Sequence, residues 1–127
     1  KLSELVLINK DERGSFSTLL PGKIWSEANL VESSANCIRG KHFHRKSTEL
    51  FYVIEGEIKV GIAKVSLDKK GNFVREKKLT ENIYKKDCIF SILPMTWHIF
   101  AIQKESKWLA LMSFPHDSEN LDIIKLD

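Results

Sequence analysis

Three histidines and one glutamate carry the clearest chemical signal in this sequence of 127 residues. His42 and His44 are separated by one residue, so on an extended strand both side chains point to the same face. Glu49 follows His44 after four residues, and His98 comes behind a predicted turn at Pro94. If these side chains converge inside a β-structure, their nitrogen and oxygen atoms suit zinc, iron, manganese, nickel or cobalt. The spacing therefore predicts a site, and a metal is one possible occupant.

Each of these residues also has a plainer interpretation. The two neighbouring histidines could be partly exposed strand residues, and Glu49 could hydrogen-bond a histidine ring and fix its tautomer instead of binding a metal. Arg39 and Lys41 flank the histidines and could contact a phosphate, although a solvated surface role fits them equally. Trp97 precedes His98 and could line the mouth of a pocket.

The segments around these residues have the pattern of short strands. Apolar runs bounded by glycine, proline and charged residues predict an all-β domain, and no segment shows a sustained helical period. Turns are predicted at Pro21–Gly22, at Glu55–Gly56 and at Asp68–Asn72. Between residues 49 and 54, Glu49 shares one face with apolar residues, and the other face begins at Leu50. Because both faces are apolar, a second sheet or a partner subunit must cover this strand, and we expect a homodimer.

The bulk composition limits the possible partners. The length predicts a single domain spanning residues 1–127, with the 43% hydrophobic and 29% charged residues of an ordinary globular protein. The formal net charge of +3 comes from scattered lysines and not from a basic patch, so no nucleic-acid partner is expected. No apolar run approaches membrane-spanning length and no signal peptide pattern is present, which predicts no membrane partner and a cytoplasmic location.

The histidine motif resembles a known family motif. The order His-x-His, four residues, Glu, six residues, Gly, here from His42 to Gly56, resembles the first motif of the cupins. Lys86–Asp87 with residues 93–98 is similar to the second cupin motif, although three positions depart from the family's usual glycine, glycine and asparagine. These departures are Lys86, Met95 and Ile102. The resemblance implies a cupin jelly-roll β-barrel, also called a double-stranded β-helix, for the whole chain.

Within the cupins, two groups of enzymes resemble this chain most. Residues 39–46 are similar to the Arg-Gly-x-His-x-His-Lys-Lys stretch of dTDP-sugar 3,4-ketoisomerases, and more loosely to dTDP-4-dehydrorhamnose 3,5-epimerases. In that group paired histidines move protons on a keto-sugar without a metal. The resemblance therefore implies catalytic roles for His42 and His44. Arg39, Lys41 and Trp97 are predicted to bind substrate from their places beside the histidines. Glu49 stands where those isomerases have a non-acidic residue, and with His98 it completes a possible metal set.

Three functions stay open on the sequence. The first is a sugar-nucleotide isomerase or epimerase of polysaccharide biosynthesis, acting on a dTDP-keto-sugar by histidine-mediated proton transfer. The second is a metal-dependent cupin enzyme, an oxygenase or a small-molecule isomerase, in which His42, His44, Glu49 and His98 bind zinc, iron, manganese, nickel or cobalt. The third is a non-catalytic cupin that binds a small ligand. We favour an enzyme, and within that class the first function.

Overall fold

The computed structural model describes residues 2–3, 6–19, 25–115, 117–119 and 121–127. Within these ranges the regular elements are all β-strands, as the sequence predicts, and no helix could cross a membrane. The turn predicted at Pro21–Gly22 lies outside the described residues. The strands are β1 (Leu2–Ser3), β2 (Val6–Asp11), β3 (Gly14–Leu19), β4 (Glu27–Ser33), β5 (Ile38–His44), β6 (Glu49–Leu67), β7 (Phe73–Arg75), β8 (Thr80–Lys85), β9 (Ile89–Ile92), β10 (Thr96–Met112) and β11 (Ile123–Lys125).

Two long strands organise the main sheet. β6 and β10 pair antiparallel along most of their lengths, and seven further strands join them in a nine-stranded antiparallel sheet. β6 pairs with β9 at its beginning, then with β8 and finally with β7. β10 pairs with β5 near its beginning and with β4 near its end. The two long strands therefore connect all parts of the sheet, while β2 and β3 form a separate hairpin.

The turn predicted at Glu55–Gly56 is wrong, because β6 continues through both residues. Gly56 has φ +102°, and a Cβ at this position would lie 2.0 Å from Ser106 Oγ on β10. The glycine thus permits a close approach of two strands together with a change in their register, and it does not end the strand. The predicted turn at Asp68–Asn72 is confirmed, since it joins β6 to β7.

Two groups of buried side chains pack on opposite faces of β6 and β10. The inner cluster lies on the face that also carries Glu49, and its members are Phe51, Val53, Ile58, Val60, Ile62, Phe90, Ile92, Phe100, Ile102, Trp108 and Ala110. The outer cluster lies on the other face, and its buried members are Phe43, Ala63, Val65 and Trp97. The strand from Glu49 is therefore apolar on both faces, and Leu50 on the second face is only 1% exposed within the single chain.

A β-bulge in β5 brings Arg39 and His42 to the same face. His42 pairs with His98, but the next pair joins Gly40 to Ile99, so Lys41 is an extra residue and has φ +58°. Without the bulge, two residues three positions apart would point to opposite faces of the strand. Gly40 is required here, because a Cβ would lie 2.7 Å from the carbonyl oxygen of His98.

Candidate active site

The structure brings the three histidines and the glutamate together. His42 and His44 lie at the end of β5, Glu49 begins β6, and His98 lies near the start of β10. One nitrogen or oxygen atom from each of the four lies within 4.8 Å of the corresponding atoms of the others. His44, Glu49 and His98 are buried, and His42 is half-buried. Strand alternation alone predicted the first pair, and the antiparallel pairing of β5 with β10 adds His98.

His98 presents one ring nitrogen to the centre of this group. Its Nδ1 lies 3.2 Å from the backbone oxygen of Thr96, and because a carbonyl can only accept a hydrogen bond, Nδ1 carries the proton. In the neutral ring Nε2 then has a free lone pair, and it lies 3.5 Å from Glu49 Oε1. Burial lowers the pKa of His98, which favours this neutral ring.

His44 lies between two carboxylates. Its Nδ1 is 3.1 Å from Asp122 Oδ2, and its Nε2 is 3.1 Å from Glu49 Oε1. Burial acts to lower the pKa of His44, but the two carboxylates outweigh it and raise the pKa above its usual value. The neutral ring can donate to only one of the two carboxylates. With its proton on Nδ1, donated to Asp122, the lone pair of Nε2 faces Glu49.

Glu49 Oε1 is buried, and with His44 neutral and protonated on Nδ1 the described residues offer it no hydrogen-bond donor. Burial acts to raise the pKa of Glu49, but the adjacent rings of His44 and His98 outweigh it and leave the pKa below its usual value. When both rings are neutral with their protons on Nδ1, the charged oxygen faces two imidazole lone pairs. A proton on Nε2 of His44, or a cation between the three groups, removes this repulsion. The four residues thus fit a divalent transition metal in both geometry and donor type.

His42 has a different electrostatic environment from His44. Burial is the largest cause that lowers its pKa, and the neighbouring His98 and His44 lower it further, to about 4. The rings of His42 and His98 contact edge to face with centroids 4.5 Å apart. At neutral pH His42 is therefore uncharged and can accept a proton or bind a metal.

These residues form one wall of a cavity of about 400 Å³. Four aromatic side chains line it, namely Phe51, Phe100, Trp108 and Phe114. Arg39, predicted to bind substrate, also lines the cavity, and its Nε donates a hydrogen bond to Ser33 Oγ at 3.0 Å. A cavity of this size with apolar walls and few polar groups is typical of a small-molecule site.

Two other residues predicted to bind substrate do not reach this cavity. Lys41 is the extra residue of the bulge, is exposed and does not line the cavity. Trp97 points away from His98 into the outer cluster, is 2% exposed and donates its indole N–H to the carbonyl oxygen of Leu126. Strand alternation explains the placement of Trp97, because neighbouring strand residues take opposite faces.

Asp122 is a site residue to which the sequence assigns no role, although residues 117–123 resemble the ending of the dTDP-sugar isomerases. It lies 78 positions beyond His44, and the pairing of β11 with β5 brings the two together. The cavity also includes Asp117, from the same segment, and Glu27. A polar C-terminal segment gives no periodic signal from which such contacts could be predicted.

Solved structures show the same fold. The chain is similar to a 3,4-ketoisomerase from Thermoanaerobacterium thermosaccharolyticum, solved with TDP-4-keto-6-deoxyglucose, at 16% identity and a TM-score of 0.71, covering 98% of this chain and 86% of that one. A 3,4-ketoisomerase from Helicobacter canadensis has 16% identity and a TM-score of 0.70, with 98% and 89% covered. The dTDP-4-dehydrorhamnose 3,5-epimerase of Bacillus anthracis has 20% identity and a TM-score of 0.66, with 93% and 74% covered.

These likenesses confirm the predicted cupin-type all-β fold, and they fall in the two groups that the sequence resembles. A search of curated protein sequences finds no match. Residues 9–105, most of the chain, match the family described as "Polysaccharide biosynthesis C-terminal domain". The chain belongs to the polysaccharide biosynthesis C-terminal domain family.

Proposed function

We propose that the protein is an isomerase or epimerase that moves a proton on the keto-sugar of a sugar nucleotide. The observation that carries this proposal is the pair formed by His42 and His44 on the cavity wall, because their environments shift the two pKa values in opposite directions. Two titratable groups with separated pKa values can act as base and acid in one reaction. The family and the ketoisomerase solved with a keto-sugar nucleotide support the same chemistry.

His42 and His44 have different roles in the proposed reaction. Uncharged His42 accepts the proton that leaves the carbon next to the carbonyl, and the electron pair of that C–H bond passes to the carbonyl oxygen. His44, held protonated between Glu49 and Asp122, keeps a positive charge on the cavity wall that stabilises the negative oxygen that develops. In an isomerisation the proton then passes from His42 to the former carbonyl carbon, and the hydroxyl proton of the first carbon passes to the former carbonyl oxygen, so that the carbonyl group moves by one carbon. In an epimerisation a proton returns to the opposite face of the first carbon, and the carbonyl group forms again.

The cavity wall supports the substrate around these groups. Phe51, Phe100 and Trp108 offer apolar surface that excludes water from the sugar. Arg39 keeps a charged guanidinium at the wall and can bind a phosphate oxygen of the nucleotide. Its orientation is set by the hydrogen bonds to Ser33 Oγ and to the backbone oxygen of Glu32.

Proton exchange on the substrate tests this proposal directly. The intact protein should exchange the proton next to the carbonyl of TDP-4-keto-6-deoxyglucose with deuterated water, as followed by proton NMR. His44→Asn should slow this exchange by about 10²–10⁴-fold, the usual cost of losing an acid–base group. The control is the binding of TDP and the thermal unfolding of the variant, which should both stay close to those of the intact protein. If the intact protein binds the sugar nucleotide but exchanges no proton, the chain is a binding protein and not an isomerase.

A metal-dependent enzyme is the second candidate. The supporting observation is the buried Glu49 Oε1, which lies 3.1 Å from Nε2 of His44 and 3.5 Å from Nε2 of His98. When both rings are neutral with their protons on Nδ1, this oxygen has no donor in the described part of the chain. His42, His44, Glu49 and His98 would bind the metal, which would supply a Lewis acid for the substrate oxygen. In this state the histidine rings orient the site, and Arg39 remains the cationic side chain that can bind the substrate.

Metal content distinguishes the two candidates. Protein purified without a chelator or a nickel column should contain close to one divalent transition metal per chain, measured by plasma mass spectrometry. Glu49→Gln should lose most of this metal, because it removes the one charged ligand among the four. The free energy of unfolding of the metal-free protein should change little. Glu105→Gln, an exposed residue outside the cavity, is the matched control. Wild-type protein without metal would exclude this candidate.

The homodimer also remains a proposal. Leu30 on β4 pairs with Leu109 on β10 on the outer side of the sheet, and Leu30 is 58% exposed. A second copy would cover this apolar surface. Sedimentation showing a stable monomer at micromolar concentration would contradict it.

A further inference from the structure

A four-residue loop connects two of the proposed site residues. The loop Arg45–Thr48 begins directly after His44 at the end of β5 and ends directly before Glu49 at the start of β6. Its conformation therefore sets the separation and the direction of these two side chains. Any residue that fixes the conformation of this loop therefore also affects the positions of His44 and Glu49.

Asp122, near the C-terminal end of the described chain, holds the first half of this loop. Its Oδ1 accepts a hydrogen bond from the backbone N–H of Lys46 at 2.5 Å, and its Oδ2 accepts one from Ser47 at 3.2 Å. Its backbone oxygen accepts a third from the N–H of Arg45 at 2.9 Å. The same Oδ2 lies 3.1 Å from Nδ1 of His44. One carboxylate thus contacts both the loop and the ring.

Ser113 holds the second half. Its Oγ accepts a hydrogen bond from the N–H of Thr48 at 2.8 Å, and its own N–H donates to the backbone oxygen of Thr48 at 3.1 Å. The N–H of Phe114 donates to Ser47 Oγ at 3.2 Å, and Ser47 is only 1% exposed. Both halves of the loop are therefore hydrogen-bonded to residues that follow β10 in the chain, namely Ser113, Phe114 and Asp122.

We propose that Asp122 is a positioning residue of the site, acting through the ring of His44 and through the loop to Glu49. By accepting a hydrogen bond from Nδ1 of His44, Asp122 directs Nε2 toward Glu49 and His98. By accepting hydrogen bonds from two N–H groups of the loop, it fixes the position of Glu49 at the start of β6. The inference rests on the proposed role of His44 and Glu49, whether these residues carry protons or bind a metal. It adds a residue to which the sequence assigns no role in the site.

Two simpler roles for Asp122 predict different results. If Asp122 only stabilises the loop, its loss lowers the stability of the fold without changing the tautomer of His44. If it acts only through its negative charge, the loss of any carboxylate in the cavity has the same effect. Asp117 offers that comparison, because it also lines the cavity but accepts its hydrogen bond from Glu119 and not from the loop.

The first measurement is made on metal-free protein. Nitrogen-15 NMR of the histidine rings should show the Nδ1–H tautomer for neutral His44 at alkaline pH in the intact protein. In Asp122→Asn the amide can donate to Nδ1, so the Nε2–H tautomer should become the main form. An unchanged tautomer would overturn the ring part of the proposal, even if the protein proves to bind no metal.

The second measurement uses zinc alone, with affinity obtained by competition with a chromophoric chelator. Asp122→Asn should weaken zinc binding by about 10–100-fold, the usual cost of losing a carboxylate behind a histidine ligand. Asp117→Asn should weaken it clearly less. Equal losses in the two variants would overturn positioning in favour of a general effect of charge.

Ser113→Ala keeps the test informative if Asp122→Asn does not fold. It removes one acceptor of the loop and leaves the contact between Asp122 and His44 in place. We expect weaker zinc binding with an unchanged His44 tautomer. Unchanged zinc binding in this variant would overturn the claim that the loop sets the site. If the intact protein binds no zinc, the metal candidate fails, and the tautomer measurement alone decides the role of Asp122.

Discussion

The two faces of β5 and β10 differ in how completely their buried groups are satisfied. On β5, His42 and His44 face the cavity, while Phe43 between them faces the outer cluster. On β10, His98 faces the cavity and its neighbour Trp97 faces the outer cluster. The same strands therefore supply a candidate site on one side and a closed apolar core on the other.

The outer cluster is complete within the single chain. Phe43 is fully buried and packs edge to face on Phe73, with ring centroids 5.0 Å apart. The polar atom of Trp97 has its acceptor, the backbone oxygen of Leu126. On the cavity side, by contrast, Glu49 Oε1 is buried, and with His44 neutral and protonated on Nδ1 no described residue donates a hydrogen bond to it. The difference indicates that the outer cluster stabilises the strands, whereas the cavity side retains groups that a ligand, a proton or a metal completes.

The largest effect is expected from breaking the outer cluster. Phe43→Ala removes a fully buried ring and leaves a cavity, so it should lower the free energy of unfolding by about 3–5 kcal/mol, measured by urea unfolding. Its neighbour supplies the control, because His42→Asn at neutral pH replaces an uncharged, half-buried group and should change stability much less. A loss for His42→Asn as large as that for Phe43→Ala would show that the two faces do not differ as described.

A pH effect of intermediate size is expected from the cavity side. In metal-free protein the folded pKa of His42 is about 4, because of burial and two adjacent histidines, against about 6.5 in an unfolded chain. Between these values the unfolded chain binds a proton that the folded protein does not. The free energy of unfolding should therefore fall by about 1.4 kcal/mol for each unit of decreasing pH.

Urea unfolding at pH 7, 6 and 5 with a chelator measures how the free energy of unfolding depends on pH. His42→Asn should lower this slope by about 1.4 kcal/mol per pH unit, the contribution of one proton. His98, whose pKa is also lowered by burial, contributes in the same pH window, so part of the slope should remain. His44 acts in another window. Its raised pKa adds stability that is fully present below about 6.5 and is lost as pH rises through its folded pKa. A slope that His42→Asn leaves unchanged would contradict the lowered pKa of His42.

The sequence predicted those features that depend on strand alternation. The shared face of His42 and His44, and the position of Glu49 on a strand with two apolar faces, follow from a two-residue period and are confirmed by the structure. The all-β fold follows from the many short apolar runs. The grouping of His98 with His42, His44 and Glu49 was predicted from the order of the two cupin motifs. The functional roles of all four residues stay predictions.

The features that the sequence missed depend on local irregularities or on long-range contacts. The bulge at Lys41 reverses the alternation, so Arg39 lines the cavity while the exposed Lys41 does not. The sequence at Gly56 resembles that of a turn, yet this glycine lies inside β6 and allows β6 and β10 to approach closely at Ser106. Asp122 contacts His44 only because β11 pairs with β5. Single-residue bulges and contacts between distant segments leave no period in the sequence from which they could be read.

The smallest effect concerns two arginines that lie over tryptophans on the two faces. Arg75 lies 4.1 Å from the ring centroid of Trp97 in the outer cluster, and Arg39 lies 6.0 Å from that of Trp108 at the cavity. A cation–π contact at a partly exposed site contributes about 0.5–1 kcal/mol and weakens as the cation moves away from the ring. Arg75→Met should therefore lower the free energy of unfolding by roughly that amount, and Arg39→Met by less, with urea unfolding at one pH as the measurement. Arg75→Lys should recover only part of the loss, because the ammonium group cannot stack on the indole as the planar guanidinium does. If Arg39→Met were the more destabilising of the two methionine variants, the cavity side would contribute to stability as the outer cluster does, and the arginine at the cavity would have a structural role in place of a ligand-binding one.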